Sequence, residues 1–212
     1  MSLERVKFAA ERRTAYGQDR SPTVVDRFGV WLSGRQIRRF VPRLQNLRVA
    51  DIGCGYEAKL LRPHLDKVRE AVLVDVALGP DLKRLNRVRC IEGHLPAVLE
   101  EVPGASVDVA LCTSVLEHLS EPLECLQHIR RILAPGAIAL LNVPTWRGKR
   151  YLEFSAFRLH LSPASEMDDH KMYYDERDLW PLLVKSGFAP HQIRCFRHKF
   201  GLNLFAACRV ER

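Results

Sequence analysis

Long apolar runs are missing from this 212-residue chain, as are paired cysteines, internal repeats and low-complexity tracts. Without an apolar stretch of about 20 residues, no membrane-spanning helix is expected. The opening, "MSLERVKFAAERRTAYGQDR", is charged and lacks the apolar region of a secretory signal, so the expected location is cytoplasmic. The six cysteines (Cys54, Cys90, Cys112, Cys125, Cys195 and Cys208) include no C-x-x-C pair. Most sit in apolar runs, which favours reduced, buried thiols over a disulfide frame or a zinc site.

Acidic residues are scarce near the start. Residues 1–48 hold eleven Lys and Arg against four acids, and so carry most of the net charge of +8. Such a block reads equally as a solvated helix face and as a surface for RNA, an anionic substrate or an acidic partner. No aromatic-interleaved RNA motif accompanies it, so nucleic acid is the less favoured partner.

What is present is enough for one sizeable core: 47% of the residues are hydrophobic and 27% charged. "SPTVVDRFGVWLSGRQIRRFVP" reads as a helix capped by Ser21, with Pro22 in its first turn and Val24, Val25, Phe28, Trp31 and Leu32 on one face. Gly34 is a point of interruption and Pro42 the end. From residue 45 the rhythm changes. Short apolar strands at 47–52, 71–76, 87–93, 106–114 and 135–144 alternate with helical patterns at 58–68 and 122–133. This alternation predicts a parallel sheet with helices on both faces. Residues 145–174 break it, as an aromatic- and histidine-rich insertion over the carboxyl edge of the sheet. A helix over 175–188, capped by Asp175 with Leu179, Leu182 and Leu183 inward and stopped by Gly187, leads to strands near 191–197 and 203–210. Their short connection predicts an antiparallel hairpin. The expected organisation is a helical extension over 1–44 and an α/β domain over 45–212.

Ligands of doubly wound sheets bind beyond the carboxyl ends of the strands. Gly53 and Gly55 of "VADIGCGYEA" fall there, where glycine lets the backbone turn and approach a ligand closely. Cys54, between them, belongs to the same turn but points into the sheet and has no chemical role. A dinucleotide turn cradles a pyrophosphate. Here Asp51 and Glu57 flank the glycines, and two carboxylates would repel it. They suit a cationic ligand such as S-adenosylmethionine, with its ammonium and sulfonium. Asp75, which ends the second strand, is placed to accept ribose hydroxyls, as it would be for either ligand.

These stretches resemble the class I S-adenosylmethionine-dependent methyltransferases of the small-molecule type, over roughly residues 45 to 210. "VADIGCGYEAKLL" resembles the family's first motif and "AVLVDVA" its second, while "CIEGHLP" is similar to the segment flanking adenine. "VDVALCTSVLEHLSEPLECLQHIRRILAPGAIALLNVP" is similar to the fourth strand, its helix and the fifth strand. "DHKMYYDERDLWPLLVKSGF" resembles the segment before the last crossover helix. The resemblance implies a Rossmann-like, doubly wound, mostly parallel seven-stranded sheet of order 3-2-1-4-5-7-6 with an antiparallel last strand. It implies S-adenosyl-L-methionine as cofactor, bound by Asp51, Gly53, Cys54, Gly55, Asp75, Val76, Glu92, Gly93, His94 and Thr113.

Three departures from the family pattern stand out. Glu57 takes the place of a third glycine, in the expected opening turn of the next helix. Gly93-His94 replaces the usual Gly-Asp on the adenine amino group, leaving backbone groups and Glu92 to hold the base. "SVLEHL" is similar to the metal-binding E-x-x-E-H of small-RNA 2′-O-methyltransferases, but Ser114 replaces the first glutamate. Glu117 and His118 alone are too few for a hard cation, so no metal is expected.

Glu117 and His118, expected at the start of a helix over the pocket, and His170 are the candidate catalytic groups, to orient or deprotonate an acceptor. A partly structural role for "LEHL" is the alternative. His191, Cys195 and His198 read as packing and surface residues. The expected activity is methyl transfer to an O or N atom of a small molecule or a sugar or lipid intermediate, with the basic N-terminal region and the insertion as lids. The alternatives are an RNA methyltransferase, a non-catalytic cofactor-binding scaffold and, least favoured, an NAD-dependent oxidoreductase.

Overall fold

The structure, a computed structural model, describes residues 14–18, 23–150 and 170–212. Seven strands, β1 (Arg48–Ile52), β2 (Glu70–Asp75), β3 (Val88–Glu92), β4 (Val107–Thr113), β5 (Leu133–Pro144), β6 (Ile193–His198) and β7 (Asn203–Arg209), form one sheet of order β3-β2-β1-β4-β5-β7-β6. The pairs from β3 through β5 are parallel, and β7 runs antiparallel to both β5 and β6. The Rossmann-like order and the terminal hairpin are as expected. Strand order reverses at β1, between β2 and β4, so a crevice opens where their carboxyl ends diverge.

Helices α1 (Val24–Phe40), α2 (Pro80–Lys83), α3 (Pro122–Ile132) and α4 (Glu176–Lys185) cover the sheet. Two buried clusters lie on its two faces. One joins Ile52, Val74 and Leu141 to Leu126 and Ile129 of α3 and Leu179 and Leu183 of α4. The other joins Val49, Leu73, Leu111 and Leu140 to Ile37 of α1, Leu61 and Leu65. Asp175 and Asp178 form a capping box on α4, and Gly187 follows the helix at φ 101°.

Three local expectations are corrected. The stretch 58–68 is not a helix: it forms turns around a short 3₁₀ segment, Arg62–His64. Pro63 lacks an N–H and would clash with the preceding helical turn. Its apolar residues Leu61, Leu65 and Val68 are still buried. Helix α1 runs through Gly34 and is capped by Thr23, whose hydroxyl accepts from the Asp26 N–H at 3.2 Å while the Asp26 carboxylate accepts from the Thr23 N–H at 2.7 Å. Ser21 and Pro22 lie outside the described residues. The predicted inner face of α1 is also wrong. Phe28 and Trp31 are half exposed and stack on each other at 5.7 Å, while Ser33, Gln36 and Ile37 are buried. The side chains of Val24 and Val25 lie outside the description, as do residues 151–169 of the expected insertion. No described helix is long and apolar enough to cross a membrane.

Candidate active site

The glycine turn is built by three neighbours. The Gly53 N–H donates to the Val74 carbonyl at 2.8 Å, tying the end of β1 to β2. Gly53 and Gly55 have φ of 68° and 74°, the left-handed region that glycine enters at no steric cost. A Cβ on Gly53 would overlap the Val115 side chain, and one on Gly55 would lie 3.0 Å from the Tyr16 carbonyl. The N–H of Tyr56 donates to that same Tyr16 carbonyl at 2.9 Å. Residues 14–18, which carry no charged side chain, therefore lie against the turn.

Asp75 closes the turn. Its Oδ2 accepts from the Gly55 N–H at 2.7 Å and its Oδ1 from the Val76 N–H at 2.8 Å. Asp51 is 1% exposed, and its Oδ2 has no hydrogen-bond partner among the described residues. Burial, then repulsion from Asp75, pushes its carboxyl up to about 7. The Cys54 thiol is pushed up by burial first and by Asp51 and Asp75 next, so it stays protonated. Glu57 differs from expectation. No helix begins there; the residue is exposed and its carboxylate pairs with Lys59 at 2.9 Å. The electrostatic case against a pyrophosphate thus rests on Asp51 and not on Glu57.

At the end of β3, both Glu92 oxygens are engaged, one by the Leu78 N–H and one by the Lys83 ammonium, each at 2.7 Å. Those bonds hold its pKa below the usual range and make Glu92 a brace for the β2–α2 connection. The Gly93 N–H donates to the Asp75 carbonyl at 3.0 Å, and a Cβ there would overlap Val98. His94 is exposed beside it. The base would meet Gly93 and His94 more readily than the occupied carboxylate.

Thr113 ends β4, half-buried and in register with Asn142 of β5. Asn142 is fully buried, yet neither side-chain polar atom has a partner among the described residues. Glu117 and His118 do not open a helix: they sit in a 3₁₀ turn, Leu116–His118, and α3 starts later. The segment after the insertion is stitched to that turn. The Lys171 and Met172 N–H groups donate to the Glu117 carbonyl at 2.7 and 3.3 Å, and the Tyr174 hydroxyl donates to the Leu116 carbonyl at 3.2 Å. His170 is thereby brought to His118, ring centroids 4.8 Å apart, with its Nδ1 3.0 Å from the Tyr173 hydroxyl. Glu117 is 1% exposed beside them. All three candidate catalytic residues converge at one place, close to the ends of β4 and β5.

The hairpin read as packing contributes one more group. Lys199 starts a left-handed turn (φ 49°) and is sheltered enough for burial to pull its ammonium down to about 8, against the favourable field of Glu117. A lysine in a basic hairpin carries no sequence signal of this. Its neighbour His198 is lowered by burial, then by Lys199 and Arg39, to about 4 and stays neutral near pH 7. A cavity of about 570 Å³ beside Gly136, Arg209 and Val210 lies at the opposite edge of the sheet and includes none of these residues.

A methyltransferase domain model matches residues 26–193. The chain is 26% identical over 119 residues to a ubiquinone biosynthesis O-methyltransferase of Paracidovorax citrulli, covering 51% of this chain and 48% of that one. It thus spans about half the length of that relative. A methyltransferase structure from Archaeoglobus fulgidus superposes with a TM-score of 0.61 at 14% identity, covering 85% of this chain and 94% of that one. The 1,6-didemethyltoxoflavin-N1-methyltransferase of Burkholderia thailandensis, solved with bound 1,6-didemethyltoxoflavin and S-adenosylhomocysteine, gives 0.62 at 17% identity, with 89% and 80% covered. A tight glycine turn, an acid at the end of β2 and a buried carboxyl oxygen lacking a partner fit a cationic, ribose-bearing cofactor. The chain belongs to the class I S-adenosylmethionine-dependent methyltransferases.

Proposed function

We propose that this enzyme methylates an O or N atom of a small molecule, or of a sugar or lipid intermediate, seated where β4 and β5 end. The observation that carries this reading is the meeting of Glu117, His118 and His170, the first two in the turn that follows β4. S-adenosylmethionine, when bound, supplies a methyl already activated on sulfonium, which leaves the protein mainly alignment and the exclusion of water. The backbone of Gly53, Cys54 and Gly55 cradles the methionine end, with Asp51 facing its ammonium. Asp75 and Val76 take the ribose, Gly93 and His94 the adenine, and Thr113 borders the reacting centre. His118 and His170 orient the acceptor and accept its proton where one must leave. Residues 14–18 cover the cofactor turn through Tyr16 and act as its lid; the lid expected over 145–174 falls mostly on residues 151–169, outside the described residues. A relative named for O-methylation and a structural neighbour named for N-methylation support a small acceptor.

The direct test is incubation with methyl-labelled S-adenosylmethionine and a cell extract divided into small-molecule and RNA fractions. Label in a small molecule supports the reading, and label only in RNA replaces it. His118→Gln and His170→Gln should lower transfer about 100-fold or more while leaving S-adenosylhomocysteine affinity within about twofold. The RNA reading has one observation of its own: the exposed Phe28–Trp31 stack with the Arg35 guanidinium 5.9 Å above Trp31. Stacking on bases there would fall steeply with salt.

Asp75→Ala should weaken S-adenosylhomocysteine binding by about 1.5–3 kcal/mol, roughly 10- to 150-fold, because charge-assisted ribose bonds are lost. Calorimetric titration reads this, with circular dichroism to confirm the fold. Unchanged affinity would make the acid a purely structural tie for Gly55. Removing the first 20 residues should leave the sheet folded but reduce methyl transfer at least about tenfold, since water exclusion at the turn is lost. Full activity of the shortened chain would remove the lid role.

A further inference from the structure

We propose that Glu117, His118 and His170 together bind one divalent transition-metal ion at the acceptor end of the site. The sequence expectation of no metal rests on Glu117 and His118 as the local ligands and on Ser114 in place of a glutamate, with His170 the residue that could still join them. The fold supplies the third from a distant segment. One ligand atom from each residue lies within 4.8 Å of the other two. Ligands on one ion at about 2.1 Å stand roughly 3–3.5 Å apart, so small side-chain rotations close the set.

The supports for such a site are in place. The backbone bonds from Lys171 and Met172 to the Glu117 carbonyl fix the two segments against each other. The Lys171 ammonium adds a bond to the Ser120 hydroxyl at 2.8 Å. The Tyr173 hydroxyl at His170 Nδ1 fixes the ring and directs Nε2 to the ion, the outer-shell contact that metal-bound histidines use. Glu117, at 1% exposure and already in the field of the Lys199 ammonium, is the carboxylate of the set.

Two imidazoles and one carboxylate are too rich in nitrogen for magnesium or calcium, which take oxygen. They suit zinc, cobalt, manganese or iron. Three protein ligands leave open positions, as catalytic sites require. Given the acceptor placement proposed above, an acceptor hydroxyl or a pair of neighbouring hydroxyls would take those positions, with its pKa lowered by the ion. In the loaded protein the histidines would act through the ion and not as free bases.

The test uses the full chain, stripped with EDTA and dialysed, titrated with Co²⁺ and with Zn²⁺. Expected are one ion per chain by calorimetry and visible Co²⁺ absorption bands of a low-coordinate site. Glu117→Gln and His170→Gln should each weaken binding about 10- to 100-fold or more, with circular dichroism unchanged. His191→Gln, at an exposed histidine away from the site, should leave binding unchanged. Absence of binding up to millimolar metal, or equal binding in both site variants, overturns the proposal. Methyl transfer that persists in EDTA overturns the ion's part in the reaction, while the small-molecule reading stands. A bound ion with no labelled small molecule upholds the metal site and defeats that reading instead.

Discussion

Gly53→Val should abolish the thermal stabilisation that S-adenosylhomocysteine gives the wild-type protein. At a ligand concentration of about 100 times Kd, binding adds about 2.7 kcal/mol of stability. For a chain of this size that is a rise in Tm of roughly 5–10 °C. Valine removes it for two reasons. Gly53 holds φ 68°, where a β-branched residue is a genuine outlier. Its Cβ would also overlap Val115, the residue that leads from β4 into the turn carrying Glu117 and His118. Either the turn opens or the 115–118 segment moves, and both ends of the site are affected. Gly53→Ala combined with Val115→Ala relieves the overlap but keeps the backbone strain, so it should recover part of the shift. A full wild-type shift in Gly53→Val would place the cofactor elsewhere.

The glycine turn was legible because its residue types answer a backbone need. Strand positions were legible because buried parallel strands are short apolar runs with turn residues between them. Helix 58–68 was misread because its apolar spacing is real but Pro63 stops the backbone from following it. The face of α1 was misread because Phe28 and Trp31 fit an apolar stripe as well as any core residue. Periodicity says that a face is apolar, not which surface covers it. Glu57 was given weight that its exposed pairing with Lys59 removes. The convergence of His118 with His170 depends on main-chain bonds across an insertion, and no local pattern encodes these. Lys199 was missed for the same reason: its setting comes from where the hairpin lies, not from its neighbours in sequence.

Asp51 yields the second large effect, in the pH dependence of both stability and cofactor binding. Its carboxyl titrates near 3.8 when unfolded and about 7 in the folded chain, raised by burial first and by Asp75 second. Between those values the folded state holds a proton that the unfolded state has lost. Stability of the cofactor-free protein therefore falls as pH rises from about 4 to about 7, and the Asp51 contribution is constant above that. A shift of roughly three units corresponds to about 4 kcal/mol at most. Asp51→Asn should remove this slope, matching wild type at pH 4 and exceeding it by up to that amount at pH 8, as read by denaturant unfolding across pH. Ligand binding should respond in the opposite sense. If Asp51 faces the cofactor's ammonium, it must ionise to do so. Wild-type affinity for S-adenosylhomocysteine should then be about 25-fold weaker at pH 5.5 than at pH 7.5. The asparagine variant should bind more weakly at pH 7.5 and show almost no such dependence. The same stabilising substitution thus costs the enzyme its cofactor. Parallel pH profiles in the two proteins would show that the buried carboxyl has no contact with the ligand's charge, and Asp75 would be left as the only acid serving the cofactor.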